Sequence, residues 1–427
     1  MKKKAKAPSW KRLDNAAKIF PPNSNKQDTK VFRFDCRLKE QVNPKILQKA
    51  LDKTMLSFPL YTSIIRKGLF WYYFEASTIK PIVSLENKSP CSRLYNEDVK
   101  SLLFEVTYFK KRINLEIYHA LTDGVGALQF LRTLVLNYLV MVHQEELKGR
   151  ILSIDYDASI AEKEVDGFKK YYSKGKGEKT PITKKAYKLK GEKLEGNFLQ
   201  VISGVVSVKE VLEEAHTYNT TLTIYLTAIL IYAISKQMTR REKKQPVVVD
   251  IPVNLRPYFQ SASARNFFSV LHVPYYFDEK EAKLEDIIEY LKEYFKQELK
   301  TEKFQARMNH LVALERNYVT RAIPLILKKP TLQLAHYLTS KEVTTSFSNI
   351  GKVSMPKELE PYIDGFDVCV STRKIQVCLC SYGDQLSISF TSPFVSTEVQ
   401  KHFFRVLTSK GIRVTINTNV SDKQVQA

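Results

Sequence analysis

Glycine is scarce in this chain, with 14 among 427 residues. Close pairs occur only at Gly124/Gly126 and Gly175/Gly177. Neither completes a GxGxxG turn and no GxxxxGK[ST] loop exists, which argues against dinucleotide and P-loop chemistry. Cysteine is also sparse, at five residues, and lacks metal-type spacing. Cys36, Cys91 and Cys369 read as packing residues, and Cys378 and Cys380, two apart, as one core-facing side of a strand. A reducing compartment is expected. The seven histidines form neither HxxxH nor HExxH, so zinc is not supported. Long apolar runs are missing too. Thr221–Ile234 and Leu134–Val142 are the best candidates; both are too short to span a bilayer and read as buried helices. The opening MKKKAKAPSWKR is basic but no apolar stretch follows it, which argues against a secretory signal and for a cytoplasmic protein.

What the chain has in excess is positive charge, +22 in all. Much of it is concentrated in two segments. Residues 1–12 carry six basic residues and no acid, and residues 169–193 carry ten lysines against Glu178 and Glu192. Such segments attract phosphates or an anionic membrane, so peripheral membrane contact stays open, but their ordinary state is solvated chain. No recognition helix, zinc finger or aromatic–basic RNA signature accompanies them, and no specific nucleic-acid partner is expected.

The organisation reads as a basic tail (1–12), a mixed α/β half (13–157), a lysine-rich linker (158–198) and a second mixed half (199–427). In the first half, Val31–Leu38 alternates with Phe32, Phe34, Cys36 and Leu38 on one face. Asn43 and Pro44 then mark a helix start. In the second, strands are expected near 200–208, 246–253, 267–277, 343–348, 368–380 and 385–391. Helix is expected over 279–300 and about 301–339. Within the latter, 322–336 either lines a site or covers the sheet.

One segment carries chemistry: Ile117-Tyr118-His119-Ala120-Leu121-Thr122-Asp123-Gly124-Val125-Gly126. An alternating strand runs into His119, a turn follows with Asp123 and two glycines, and then a helix begins. A histidine at a strand end is held by rigid backbone and titrates near physiological pH, as a general base requires. Asp123, in a turn beside a glycine, can fold back and pair with a cation. The competing reading is a turn with an incidental histidine, yet composition alone predicts only roughly 0.01 such matches.

This segment resembles the HHxxxDG signature of the CoA-dependent acyltransferase superfamily, which includes chloramphenicol acetyltransferase, the plant BAHD enzymes, alcohol acetyltransferases and condensation domains. The first histidine of that signature is Tyr118 here. Three further stretches are similar in order and spacing: Asp250-Ile251-Pro252-Val253-Asn254-Leu255-Arg256-Pro257, Thr344-Thr345-Ser346-Phe347-Ser348-Asn349-Ile350-Gly351, and Arg12-Leu13-Asp14-Asn15-Ala16-Ala17-Lys18-Ile19-Phe20-Pro21. The last is similar to the start of bacterial alcohol-acetyltransferase-like proteins.

The resemblance implies an α/β fold of the α+β type, with two chloramphenicol-acetyltransferase-like mixed-sheet subdomains and the active site at their interface. It implies an acyl-CoA-dependent O-acyltransferase that moves an acyl group, expected to be acetyl, from a thioester to an alcohol or amine. His119 would be the base. Asp123 would pair with Arg256 in a structural role, and Gly124 and Gly126 would be close-packing positions. Ser346 and Ser348 would be oxyanion donors. No permanently bound cofactor is implied; acyl-CoA is a co-substrate. The alternatives are a condensation-type enzyme using carrier-protein thioesters, a non-catalytic binding protein on the same fold, and a surface binder driven by the lysine segments.

Overall fold

The computed structural model describes residues 10–150, 152–154, 158–175, 185–277 and 281–420. Most of the expected basic tail (1–9) and the centre of the expected linker (176–184) lie outside the described residues.

The chain starts with β1 (Trp10–Arg12), a turn of 3-10 helix and α1 (Phe20–Asn23). β2 (Val31–Leu38) follows the alternation read from its sequence. Phe32, Phe34, Cys36 and Leu38 enter the first core, while Arg33, Asp35 and Arg37 point to the other side of the sheet. α2 (Pro44–Met55) starts where Asn43 and Pro44 place it, because the Asn43 side chain accepts from the free N–H groups of Lys45 and Ile46. β3 (Ser63–Lys67) and β4 (Tyr72–Ala76) form a hairpin that β1 extends to three strands. β5 (Ser84–Leu85), β6 (Phe104–Phe109) and β7 (Arg112–Tyr118) lead into α3 (Gly124–Val142). α3 is long and apolar enough to cross a membrane, but it packs along α2 beneath the first sheet as a core helix.

Two short helices, α4 (Ile160–Lys163) and α5 (Gly167–Lys170), lie in the connection between halves. The second half runs β8 (Gln200–Ser207), α6 (Val208–Thr217), α7 (Leu222–Ser235), β9 (Val247–Asn254), α8 (Arg256–Phe259), β10 (Phe268–Tyr275) and α9 (Leu284–Glu298). α10 (Thr301–Arg316), α11 (Tyr318–Ala322) and α12 (Leu325–Ser340) follow. The helix expected over about 301–339 is present as three pieces, with breaks at Asn317 and before Pro324, whose ring has no N–H to continue the ladder. The chain closes with β11 (Thr345–Lys352), β12 (Ile363–Val370), β13 (Gln376–Tyr382), β14 (Gln385–Ser392), α13 (Glu398–Ser409) and β15 (Thr415–Thr418).

Strand order defines two large mixed-connection sheets. The second is β10-β9-β11-β13-β14-β8-β15, and one face carries a core with α7, α9 and α13. The first is β12-β2-β7-β6-β5. Its edge strand comes from the second half of the chain. Residues 368–380, which read as one strand, are two: β12 pairs with β2, and after a break at Ser371–Ile375, β13 joins the other sheet. Ser371 seals the crossing. Its N–H donates to the Val31 carbonyl at 2.8 Å and its Oγ accepts from the Val31 N–H at 3.2 Å.

Candidate active site

β7 delivers His119 to the end of the first sheet, and the His119 N–H donates to the Lys30 carbonyl at 2.8 Å, fixing the backbone beside β2. The residue is half-buried. Its ring stacks on Phe20 at 4.5 Å between centroids and meets Phe32 at 5.0 Å and Phe268 at 5.6 Å. Phe268 belongs to β10, so the imidazole sits where the two halves meet. Burial pushes its pKa below the ordinary histidine value, against the opposing pull of Asp123 and Asn266. The ring is therefore neutral at pH 7.

Its protonation pattern follows from its own backbone and from Asn266. Nδ1 lies 3.2 Å from Oδ1 of the fully buried Asn266, and the Asn266 Nδ2 donates to the Ala120 carbonyl at 3.5 Å. That second bond turns the amide oxygen toward the ring. Oδ1 can only accept, so Nδ1 carries the proton and Nε2 presents a lone pair.

The turn after His119 is held by Asp123. Its Oδ1 caps α3 by accepting from the Gly126 N–H at 3.1 Å, and its Oδ2 accepts from the Phe267 N–H at 2.8 Å. Arg256 donates to both oxygens, Nη1 to Oδ2 at 2.8 Å and Nη2 to Oδ1 at 3.1 Å. The same guanidinium donates to the carbonyls of Ser263 and Arg265. Both side chains are buried, and every charge has a geometrically matched partner, the condition under which a buried ion pair is tolerated. Thr122 Oγ1 donates to the Ala264 carbonyl at 2.5 Å. A Cβ at Gly126 would stand 2.2 Å from that carbonyl oxygen, so only glycine fits; at Gly124 it would meet Ile350 Cδ1 at 2.8 Å.

Ser346 and Ser348 lie on the face of the second sheet opposite its core, as does Phe268. Both are half-buried, and neither hydroxyl has a hydrogen-bond partner among the described residues. Asn349 lies within β11, paired with Leu379 where the register shifts, and its side chain accepts from the Gly351 N–H and donates to Thr223 Oγ1.

Three features escaped the sequence reading. Asn266 is the first. The second is the position of the stretch from Arg12 to Phe20, noted in the sequence for its resemblance alone, which folds over the site. Arg265 donates to the Arg12 carbonyl at 2.7 Å, Asp14 is fully buried 3.5 Å from the Arg265 guanidinium, and Phe20 stacks on the imidazole. Burial pushes the Asp14 carboxyl up to about 6, with Arg265 opposing. The third is His272, a residue of β10 that no motif marked. Its Nδ1 stands 2.5 Å from Asp250 Oδ1, level with Ser346 on the sheet. Burial opposes protonation there, but Asp250 outweighs it and raises the His272 pKa. A cavity of about 1270 Å³ also opens between the halves, lined by Arg33, Glu86 and Arg112 on one side and Ser203, Ser389 and Arg413 on the other. His119 does not line it. Among the described residues no His/Cys/Asp/Glu group could hold a metal.

No family model and no curated protein matches the sequence. Solved structures do match the fold. The trichothecene 15-O-acetyltransferase TRI3 from Fusarium sporotrichioides superposes with a TM-score of 0.62 over 96% of each chain at 12% identity. TRI101 from F. graminearum, crystallised with coenzyme A and T-2 mycotoxin, gives 0.63 over 95% of this chain and 99% of its own at 9% identity. The first condensation domain of the CDA synthetase gives 0.57 over 95% and 97% at 12% identity. The chain thus has the two-lobed fold shared by CoA-dependent acyltransferases and condensation domains.

Proposed function

We propose that the protein is an acyl-CoA-dependent O-acyltransferase with His119 as its general base. The observation that carries this reading is the Asn266 contact, which leaves Nε2 of a neutral imidazole free at the junction of the halves. Nε2 takes the proton from an acceptor hydroxyl as its oxygen attacks the thioester carbonyl. A tetrahedral oxyanion forms. When it collapses, the C–S bond breaks and the imidazolium returns the proton to the departing thiolate, giving ester and free thiol. Proton transfer of this kind contributes roughly 10²–10⁴-fold. The unpartnered hydroxyls of Ser346 and Ser348 are the donors offered to the oxyanion, and such donors act most strongly where water is excluded. No covalent acyl-enzyme is required.

His272 is the competing base, and its electrostatics count against it. Asp250 raises the His272 pKa and so favours its imidazolium, whereas burial lowers the His119 pKa and favours the neutral ring. Asp123 and Arg256 serve as the brace that holds the His119 turn on the second half.

A panel of acyl-CoA donors against alcohol and amine acceptors, followed by thiol release, tests the reading. Acceptor-dependent release with a CoA thioester supports it. Release only from carrier-protein thioesters would assign the chain to condensation-type chemistry, and no release from either would leave a binding protein on this fold.

A further inference from the structure

α12 leaves most of its apolar residues in solvent and buries only Leu325 and Lys328. A helix on a globular surface buries its apolar stripe and exposes its charges. Here Ile326, Leu327, Leu334, Tyr337 and Leu338, which recur at helical spacing, are all exposed, Ile326 at 72% and Leu327 at 61%. The buried side includes Lys328, whose Nζ lies 3.9 Å from the Trp71 ring centroid and donates to the Phe70 carbonyl at 3.2 Å. The helix read from sequence as a site lining or sheet cover therefore presents its greasy face to solvent.

Neighbouring elements continue that face. Tyr318 of α11 is 86% exposed. The β3–β4 turn exposes Leu69 and Phe70, and the Leu325 N–H donates to the Leu69 carbonyl at 2.7 Å, so the turn abuts the start of α12. Trp10 is exposed, and Trp10, Phe70, Tyr318 and Arg321 line the same cavity of about 920 Å³. An apolar surface assembled from three separate stretches of chain marks an interaction site.

Its charge names the occupant. Arg316, Arg321 and Lys341 are exposed on this face, and the cavity is lined by Arg12, Lys18, Lys169, Arg316 and Arg321 against one acid, Glu315; Lys328 is buried and Lys329 pairs with Glu97. Immediately before Trp10 the sequence carries Lys2, Lys3, Lys4 and Lys6. Exposed Leu, Ile and aromatic side chains beside an excess of lysines and arginines are what an interfacial helix needs to enter the headgroup layer of an anionic bilayer. A second copy of the chain fits poorly, since a two-fold contact would set these cations against themselves. We infer that α11, α12, the β3–β4 turn and Trp10 form a docking face for an anionic lipid bilayer. The inference is independent of the acyl-transfer reading and its test needs no turnover.

The test is co-sedimentation of the full chain with phosphatidylcholine vesicles, with and without about 30% phosphatidylglycerol. The wild-type protein sediments with the anionic vesicles and far less with the neutral ones. The double variant Ile326→Asp/Leu334→Asp, at exposed positions, keeps its circular dichroism and melting temperature and binds at least roughly ten-fold more weakly. Undiminished binding by that variant would mean that the lysine segments alone adhere, and would overturn the inference. So would failure of the wild type to sediment, or a dimer in sedimentation velocity that the double variant dissociates.

Discussion

Asn266 holds its side-chain oxygen 3.2 Å from Nδ1 of His119, joining the two halves of the chain at the atom that sets the tautomer. Asn266→Ala removes that acceptor. We expect kcat to fall roughly ten-fold or more, with a smaller effect on KM, because Nε2 is then protonated part of the time. Asn266→Asp places a carboxylate beside the ring and raises its pKa. The acid limb of the kcat/KM profile should move to higher pH. A residue that only packs would lower the melting temperature and leave the limb where it was.

The wild-type profile follows from burial. Because the His119 pKa lies below the ordinary value of about 6.5, the base stays neutral at pH 7 and activity should hold until the pH falls below about 6.5. The same shift penalises folding in acid. The unfolded chain takes up the proton first, so this histidine lowers stability as pH drops through that range. A kcat/KM profile whose acid limb lies well above 6.5 would contradict the neutral, buried base.

The Asp123–Arg256 pair should behave as a structural brace. Asp123→Ala leaves a buried guanidinium without its counter-ion and should cost about 3–5 kcal/mol in urea denaturation, with activity lost in parallel. Removing Arg256 as well should cost clearly less than the sum of the single losses, because the second change relieves the uncompensated charge. Additive losses would show that the two residues act separately.

Asp14 gives a stability signature of opposite sign. Its folded-state pKa is raised to about 6, so the folded chain holds this proton more tightly than the unfolded chain. Its contribution to stability is present at low pH and is lost as pH rises from about 4 to about 6. Asp14→Asn keeps an oxygen for the Ala17 N–H, which now donates to Asp14 Oδ1 at 2.7 Å, and removes the titration. Above pH 6 the variant should be more stable than wild type, by up to about 3 kcal/mol, and near pH 4 the two should converge. Parallel pH–stability curves would refute the assignment.

How far the sequence could be read depended on the range of each interaction. The helix start at Asn43 and Pro44 is local, and so is the strand that ends in His119; both were legible from spacing alone. Asp123 and Arg256 are 133 positions apart, and only the resemblance linked them. Asn266 carries no local signal, since a lone asparagine has no pattern until the fold brings it to a ring. The split of 368–380 was hidden for a related reason. Both pieces alternate as strands, and nothing local says that they belong to different sheets. α12 misled in the opposite way. Its apolar spacing correctly marks a helix, but spacing cannot say which side faces water.

The decisive comparison is thiol release by purified His119→Ala and His272→Ala, each verified as folded, with an acyl-CoA and an acceptor that the wild-type protein uses. His119→Ala should lose roughly 10²–10⁴-fold in kcat while His272→Ala keeps most of its turnover. Normal turnover by His119→Ala, or a comparable collapse confined to His272→Ala, would contradict the assignment of the base.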